Sequence, residues 1–92
     1  MFGLIGRIKA HPGRRGELAD VLVQEDGSMP GCLSYVVAED PNEADALWVT
    51  EVWTDQYAWR ASLQLPAVQA AIARGRPLIA GSPRTVSSTD TA

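Results

Sequence analysis

Ala46-Leu47-Trp48-Val49-Thr50-Glu51-Val52-Trp53 is the stretch on which the reading of this chain turns. Two tryptophans, two valines and a threonine fall within eight residues, with no glycine or proline among them. That composition suits a pleated surface and marks a β-strand. Side chains alternate across a strand, so Leu47, Val49, Glu51 and Trp53 share one face, and Trp48, Thr50 and Val52 share the other. Both faces are largely apolar, and both need cover. The chain's own helices can cover one, and a second copy of the chain is expected on the other.

Moving outward, Phe2–Ala10 alternates as a first strand, with Phe2, Leu4, Gly6, Ile8 and Ala10 on one face and Ile5 and Arg7 on the other. Gly6 either leaves room for a ligand or sits opposite a bulky helix residue. His11-Pro12-Gly13 stops this strand. Helix one spans about Arg14–Gln24, with Leu18, Val21 and Leu22 at core-facing spacing. Turn formers from Asp26 to Gly31 break it, and Cys32–Glu39 makes strand two. Asp40-Pro41-Asn42-Glu43 turns the chain into the central strand. Beyond it, Thr54 is expected to cap a short helix over Asp55–Leu63, on which Trp59, Ser62 and Leu63 share a face. Pro66 suits the first turn of a third helix carrying Val68, Ala71, Ile72 and Gly75. Pro77 ends that helix near Arg76, and Arg84–Ser88 forms the last strand. The plan is β-α-β-β-α-α-β, an α+β ferredoxin-like fold whose antiparallel sheet has helices on one face. The bare face is expected to carry Ile5, Arg7, Trp48, Thr50 and Val52 and to close a twofold homodimer.

The 92 residues suffice for one domain, expected over 1–88, with a polar tail over 89–92. Hydrophobic residues make up 46% and charged residues 21%, an ordinary globular profile. Eight basic against eleven acidic side chains give a net charge of −3, which argues against nucleic acid or an anionic membrane surface as partner. No apolar run approaches the ~20 residues of a membrane span. The N-terminus lacks the order of a signal peptide, and the single cysteine fits a reducing cytoplasm, the expected location. Cys32 has no base beside it in the sequence, so an inert thiol outweighs a nucleophile. One histidine and one cysteine cannot make a zinc site of the usual spacing. His11 sits in a turn, where exposure outweighs haem ligation. No metal or organic cofactor is expected.

Three segments together carry a family resemblance. They are Ile5-Gly6-Arg7-Ile8-Lys9-Ala10-His11-Pro12-Gly13, then Met29-Pro30-Gly31-Cys32-Leu33-Ser34-Tyr35, and Glu51-Val52-Trp53-Thr54-Asp55 followed by Ser62-Leu63-Gln64-Leu65-Pro66-Ala67-Val68-Gln69. In these the chain resembles the antibiotic biosynthesis monooxygenase domain family, small dimeric α+β barrels, over roughly Phe2–Val86. The resemblance implies a ligand between helices and sheet, against the face of Leu47, Val49, Glu51 and Trp53. Trp53 matches a tryptophan that lines the pocket in several members, and Trp59 matches a tyrosine that acts on substrate in a polyketide oxygenase. An asparagine of that enzyme matches Val49, and its helical arginine matches Ile72. Ile72 also falls where haem-degrading members carry their ligating histidine, and Gly6 falls where they carry an asparagine. The resemblance therefore implies no haem degradation, and it brings the aromatic wall without the polyketide oxygenase's polar partners. The first helix is also shorter than is usual in the family, which implies a more open pocket.

From these residues two functions are expected to compete. One is a cofactor-independent monooxygenase that oxidises a small quinol or aromatic polyketide-like compound with O₂. Its catalytic set would be Trp53, Trp59 and Glu51, with Leu4, Gly6, Tyr35, Val49, Leu63 and Ile72 contacting a small aromatic ligand. Glu51 is the candidate base, Trp53 and Trp59 the wall for a flat ring, and Tyr35 or Arg60 the candidate oxyanion partner. The other is a non-catalytic dimeric binding or accessory protein that keeps the fold. Glu51 would then merely pair with Arg7, Arg74 or Arg76, and the tryptophans would serve packing alone.

Overall fold

The computed structural model describes residues 1–23, 29–81 and, for the backbone, 84–89. In chain order these form β1 (Phe2–Lys9), α1 (Arg15–Val23), β2 (Cys32–Glu39), β3 (Ala46–Trp53), α2 (Gln56–Ser62), α3 (Pro66–Gly75), a single 3₁₀ turn (Arg76–Leu78) and β4 (Arg84–Thr89). The strands lie in the order β2-β3-β1-β4, each pair antiparallel. This is the ferredoxin-like α+β order expected from the sequence. The expected break over Asp26–Ser28, the end of helix one at Gln24 and the tail beyond Thr89 lie outside the described residues.

β3 runs down the middle of the sheet, between β1 and β2. Its alternation separates the two faces as read from the sequence. Leu47, Val49 and Trp53 are buried, and Trp48 and Thr50 are exposed. Among the described residues two apolar clusters sit on the helix side. Phe2, Leu4, Met29, Trp53 and Val68 pack at one end, and Ala10, Leu18 and Leu47 at the other. Burial of a large apolar side chain stabilises by about 1.5–3 kcal/mol, so these clusters carry the fold.

β2 joins β3 with one irregularity. Cys32 lies opposite Trp53 and Ser34 opposite Val52, so Leu33 is an extra residue, a β-bulge. The bulge resets the alternation. Tyr35 then falls opposite Glu51, and Val37 opposite Val49, on the face that Cys32 occupies.

The start of α2 corrects the expected cap. Asp55, not Thr54, is the N-cap: its carboxylate accepts from the Ala58 backbone N–H at 2.8 Å. The Thr54 N–H instead donates to the Gly31 carbonyl at 2.9 Å, which holds the chain on the sheet for one residue more. α3 opens with Pro66 in its first turn and ends at Gly75, just before Pro77, as the sequence suggests. Its buried stripe is Val68, Ala71 and Gly75. Ile72, expected in that stripe, is 42% exposed.

Gly31 fixes how closely α2 approaches β2. Its φ is +81°, a left-handed value that side chains disfavour. A Cβ there would lie 2.6 Å from the Ala58 Cβ and 3.0 Å from the Thr54 Oγ1. Gly31→Ala is therefore expected to destabilise by roughly 1–3 kcal/mol through strain and overlap together. The measurement is the urea midpoint, and an unchanged midpoint would contradict this packing.

Candidate functional site

A cavity of about 540 Å³ lies between the helices and the sheet. That is within the range of small-molecule sites. The sheet supplies Tyr35, Glu51 and Trp53 to its wall, α2 and α3 supply Trp59 and Ile72, and the residue that ends α2 supplies Leu63. These six are all residues singled out from the sequence. Leu4, Gly6 and Val49, also singled out, are buried on the same face of the sheet but do not line the cavity. Leu4 is taken up by the cluster around Phe2 and Trp53. Gly6 lies opposite Val49 and has no side chain to present. Arg60, the alternative oxyanion partner to Tyr35, is exposed on α2 and does not line the cavity either.

Among the described residues Glu51 is the one carboxylate on the wall. Trp53 stands two residues on, hence on the same face, and its indole Nε1–H donates to Glu51 Oε1 at 3.1 Å. Burial pushes the Glu51 carboxyl above its ordinary pKa, and the Trp53 hydrogen bond draws it partly back. Among the described residues Glu51 makes no ion pair; Arg7, one partner considered, binds Asp40 instead. Trp53 is 1% exposed. Trp59 is half-buried, its ring centroid 5.3 Å from that of Phe2 at an interplanar angle of 35°. Phe2 thus braces Trp59 from behind. Ser62 also lines the cavity, but its hydroxyl donates to the Trp59 carbonyl at 2.5 Å and is already committed. The cavity opens to solvent beside the exposed residues Leu63, Ile72 and Arg76. Arg76 was read from the sequence as a helix end and as one possible ion-pair partner of Glu51, not as a residue of the cavity wall.

The other face of the sheet carries the five residues expected at an interface. Ile5 lies opposite Thr50, Gly3 opposite Val52, and Arg7 opposite Trp48. Ile5 is 50% and Trp48 38% exposed, and Val36 of β2 extends the apolar patch. Asp40, read from the sequence only as a turn residue, organises this face. Its Oδ2 accepts from Trp48 Nε1 at 3.0 Å and from Arg7 Nε at 3.2 Å. The Arg7 guanidinium lies 5.9 Å from the Trp48 ring centroid, within cation–π range. The Asn42 backbone N–H on Oδ1 holds the Asp40 carboxyl below its usual pKa, against the pull of burial, with Arg7 and Trp48 assisting.

Fold and cavity together define a ferredoxin-like α+β protein with a ligand-sized, mostly apolar chamber under its helices. The family model for antibiotic biosynthesis monooxygenases matches residues 1–74, so the chain belongs to that family. A solved protein of Chloroflexus aurantiacus J-10-fl, ascribed to the antibiotic biosynthesis monooxygenases, is 50% identical, with a TM-score of 0.87 over 99% of this chain and 95% of that one. SnoaB of Streptomyces nogalater, a cofactor-independent oxygenase solved as a mutant, shares the fold at 19% identity and a TM-score of 0.83, over 99% of this chain and 93% of that one. Protein sll1783 of Synechocystis sp. is 30% identical over 82% of this chain. The chain spans only 53% of that curated relative's length. Among the described residues no helix is long and apolar enough to cross a membrane.

Proposed function

We propose that this protein is a cofactor-independent monooxygenase that oxidises a small quinol or aromatic polyketide-like phenol with O₂. The observation that carries the reading is a half-buried carboxyl, Glu51, facing an apolar chamber walled by Trp53 and Trp59. Family membership supports it, as does a fold shared with a cofactor-independent oxygenase. A helix–sheet layer packed solid would have favoured a purely structural or accessory role; about 540 Å³ of space bounded by Glu51 and Trp53 argues for a ligand.

The chemistry asks little of the protein, because the substrate supplies the electrons. A flat ring lies against the tryptophans, where stacking adds about 0.5–1.5 kcal/mol beyond burial. Glu51 takes the phenolic proton. The phenolate passes one electron to O₂, and the radical pair joins as a C–O bond at a ring carbon that still bears hydrogen. Glu51 returns its proton to the peroxide, and water leaves with that carbon's hydrogen, so a carbonyl remains. One oxygen atom ends in the product and one in water, and all four electrons come from the ring. Exclusion of bulk water keeps solvent protons from the anion before O₂ reacts with it. The test is oxygen uptake by chelator-treated protein with hydroquinones and anthrone-type phenols, against buffer and against Trp53→Phe. Uptake no faster than autoxidation, in parent and variant alike, would end the oxygenase reading.

The same reading includes a homodimer through the open sheet face. Asp40 holds Trp48 and Arg7 in fixed orientations there, which lowers the side-chain entropy lost on association. Trp48→Ala is expected to weaken the dimer by about 2 kcal/mol, roughly thirtyfold in dissociation constant. Asp40→Ala should weaken it in the same direction by freeing both side chains. Sedimentation of the parent and both variants decides this, and a parent monomeric at high micromolar concentration would dismiss the dimer.

A further inference from the structure

Among the described residues the cavity wall carries one guanidinium, Arg76, and none of them pairs with it. Arg7 is paired with Asp40, Arg14 with Glu17, and Arg15 with Glu39. The Arg76 side chain makes no hydrogen bond or ion pair with any described residue. It stands at the end of α3, where a cation offsets the negative end of the helix dipole. The dipole accounts for a basic residue there, but not for its place on the cavity wall. The two formal charges on the wall among the described residues differ in setting: Glu51 is half-buried in the sheet, and Arg76 is exposed at the mouth. The planar fork of a guanidinium matches a carboxylate.

We infer that the ligand of this cavity is an aromatic phenol or quinol bearing a carboxylate. Its ring lies against Trp53 and Trp59, its hydroxyl meets Glu51, and its carboxylate pairs with Arg76 at the mouth. This rests on the oxygenase reading for the hydroxyl's place, but the carboxylate contact is a binding contact and needs no turnover.

The experiment is calorimetric titration in oxygen-free buffer with two probes, 1,4-dihydroxynaphthalene and 1,4-dihydroxy-2-naphthoate. They share a ring and differ by one carboxylate. The parent should bind the naphthoate roughly tenfold more tightly, as one charge-assisted hydrogen-bonded pair allows. Arg76→Gln should erase that ratio and leave the uncharged probe's affinity within about a factor of two; Arg76→Lys should restore part of it. Arg60→Gln removes the same charge from the last turn of α2, away from the cavity, and should leave the ratio intact. Equal affinities in the parent, or a ratio that survives Arg76→Gln, would overturn the inference. A ratio lost equally in Arg60→Gln would overturn it too, since a long-range charge effect would then suffice. Because no oxygen is present, failure of uptake in the earlier assay leaves this result standing. If neither probe binds, this inference falls, and with it the pocket on which the oxygenase reading depends.

Discussion

Trp53→Ala is expected to cost about 3–5 kcal/mol of folding free energy, the range for truncating a buried aromatic. Trp53 is 1% exposed and is the largest fully buried side chain among the described residues. It lies opposite Phe2 on β1 and Cys32 on β2, and it packs with Phe2, Leu4, Met29 and Val68. The space it would vacate adjoins a cavity that is already open, so little can collapse to fill it. Losing the indole also leaves Glu51 without its hydrogen-bond donor in a half-buried place. A domain of this size is stable by roughly 5–15 kcal/mol, so the change takes a large share. Trp53→Phe keeps most of the packing but not the N–H, and a loss of about 1–2 kcal/mol is expected. Urea midpoints followed by circular dichroism check both. A Trp53→Ala protein as stable as Trp53→Phe would mean that the ring is not core, and that its place on the cavity wall is its main role.

The order of elements and the face of β3 were legible because β3 and β1 alternate without interruption. Leu47, Val49, Glu51 and Trp53 share a side for reasons of backbone geometry alone. Tyr35 was not legible in the same way. It stands three residues from Cys32, so plain alternation puts the two on opposite faces, and only the bulge at Leu33 brings them together. Nothing in Leu33 itself announces an extra residue. The Asp40 contacts to Arg7 and Trp48 were hidden for another reason: they join residues 33 and 8 positions apart through tertiary packing, while an Asp before a proline reads locally as a turn. The cap on α2 was misplaced by one residue because Thr54 and Asp55 both have capping side chains. The Thr54 N–H bond to Gly31, a pairing across the fold, decides between them. Arg76 was read as a helix end and as one possible partner for Glu51. Its place on the cavity wall follows from how α3 lies over the sheet, which no periodicity encodes. Leu4, Gly6 and Val49 show the converse: a residue on the correct face is not thereby on the cavity wall, because other side chains can cover it.

Glu51→Gln is expected to lower the rate of oxygen uptake by roughly 10²–10⁴-fold, the usual worth of a positioned general base. The amide fits the same space and can still accept from the Trp53 N–H, so the fold should survive. The pH profile separates a base from a bystander. A base must be ionised to act, so the parent's rate should rise as pH passes the Glu51 pKa, and burial sets that rise above the ordinary carboxyl range. The residual rate of the glutamine variant should be flat through the same window. Stability moves in the opposite direction. Because the folded-state pKa is raised above the unfolded value, the protonated carboxyl's contribution is fully present below the unfolded pKa and is lost as pH rises through the folded one. The parent should therefore lose stability relative to Glu51→Gln between the ordinary carboxyl value and the raised one. Urea midpoints of the two proteins across that window measure this without any substrate. If the midpoints move together while the rate falls, the carboxyl acts in the reaction but is not desolvated as the cavity requires. If they diverge as stated while the rate is unchanged, Glu51 is a buried acid on the wall of a binding site, and proton removal from the phenol must fall to solvent.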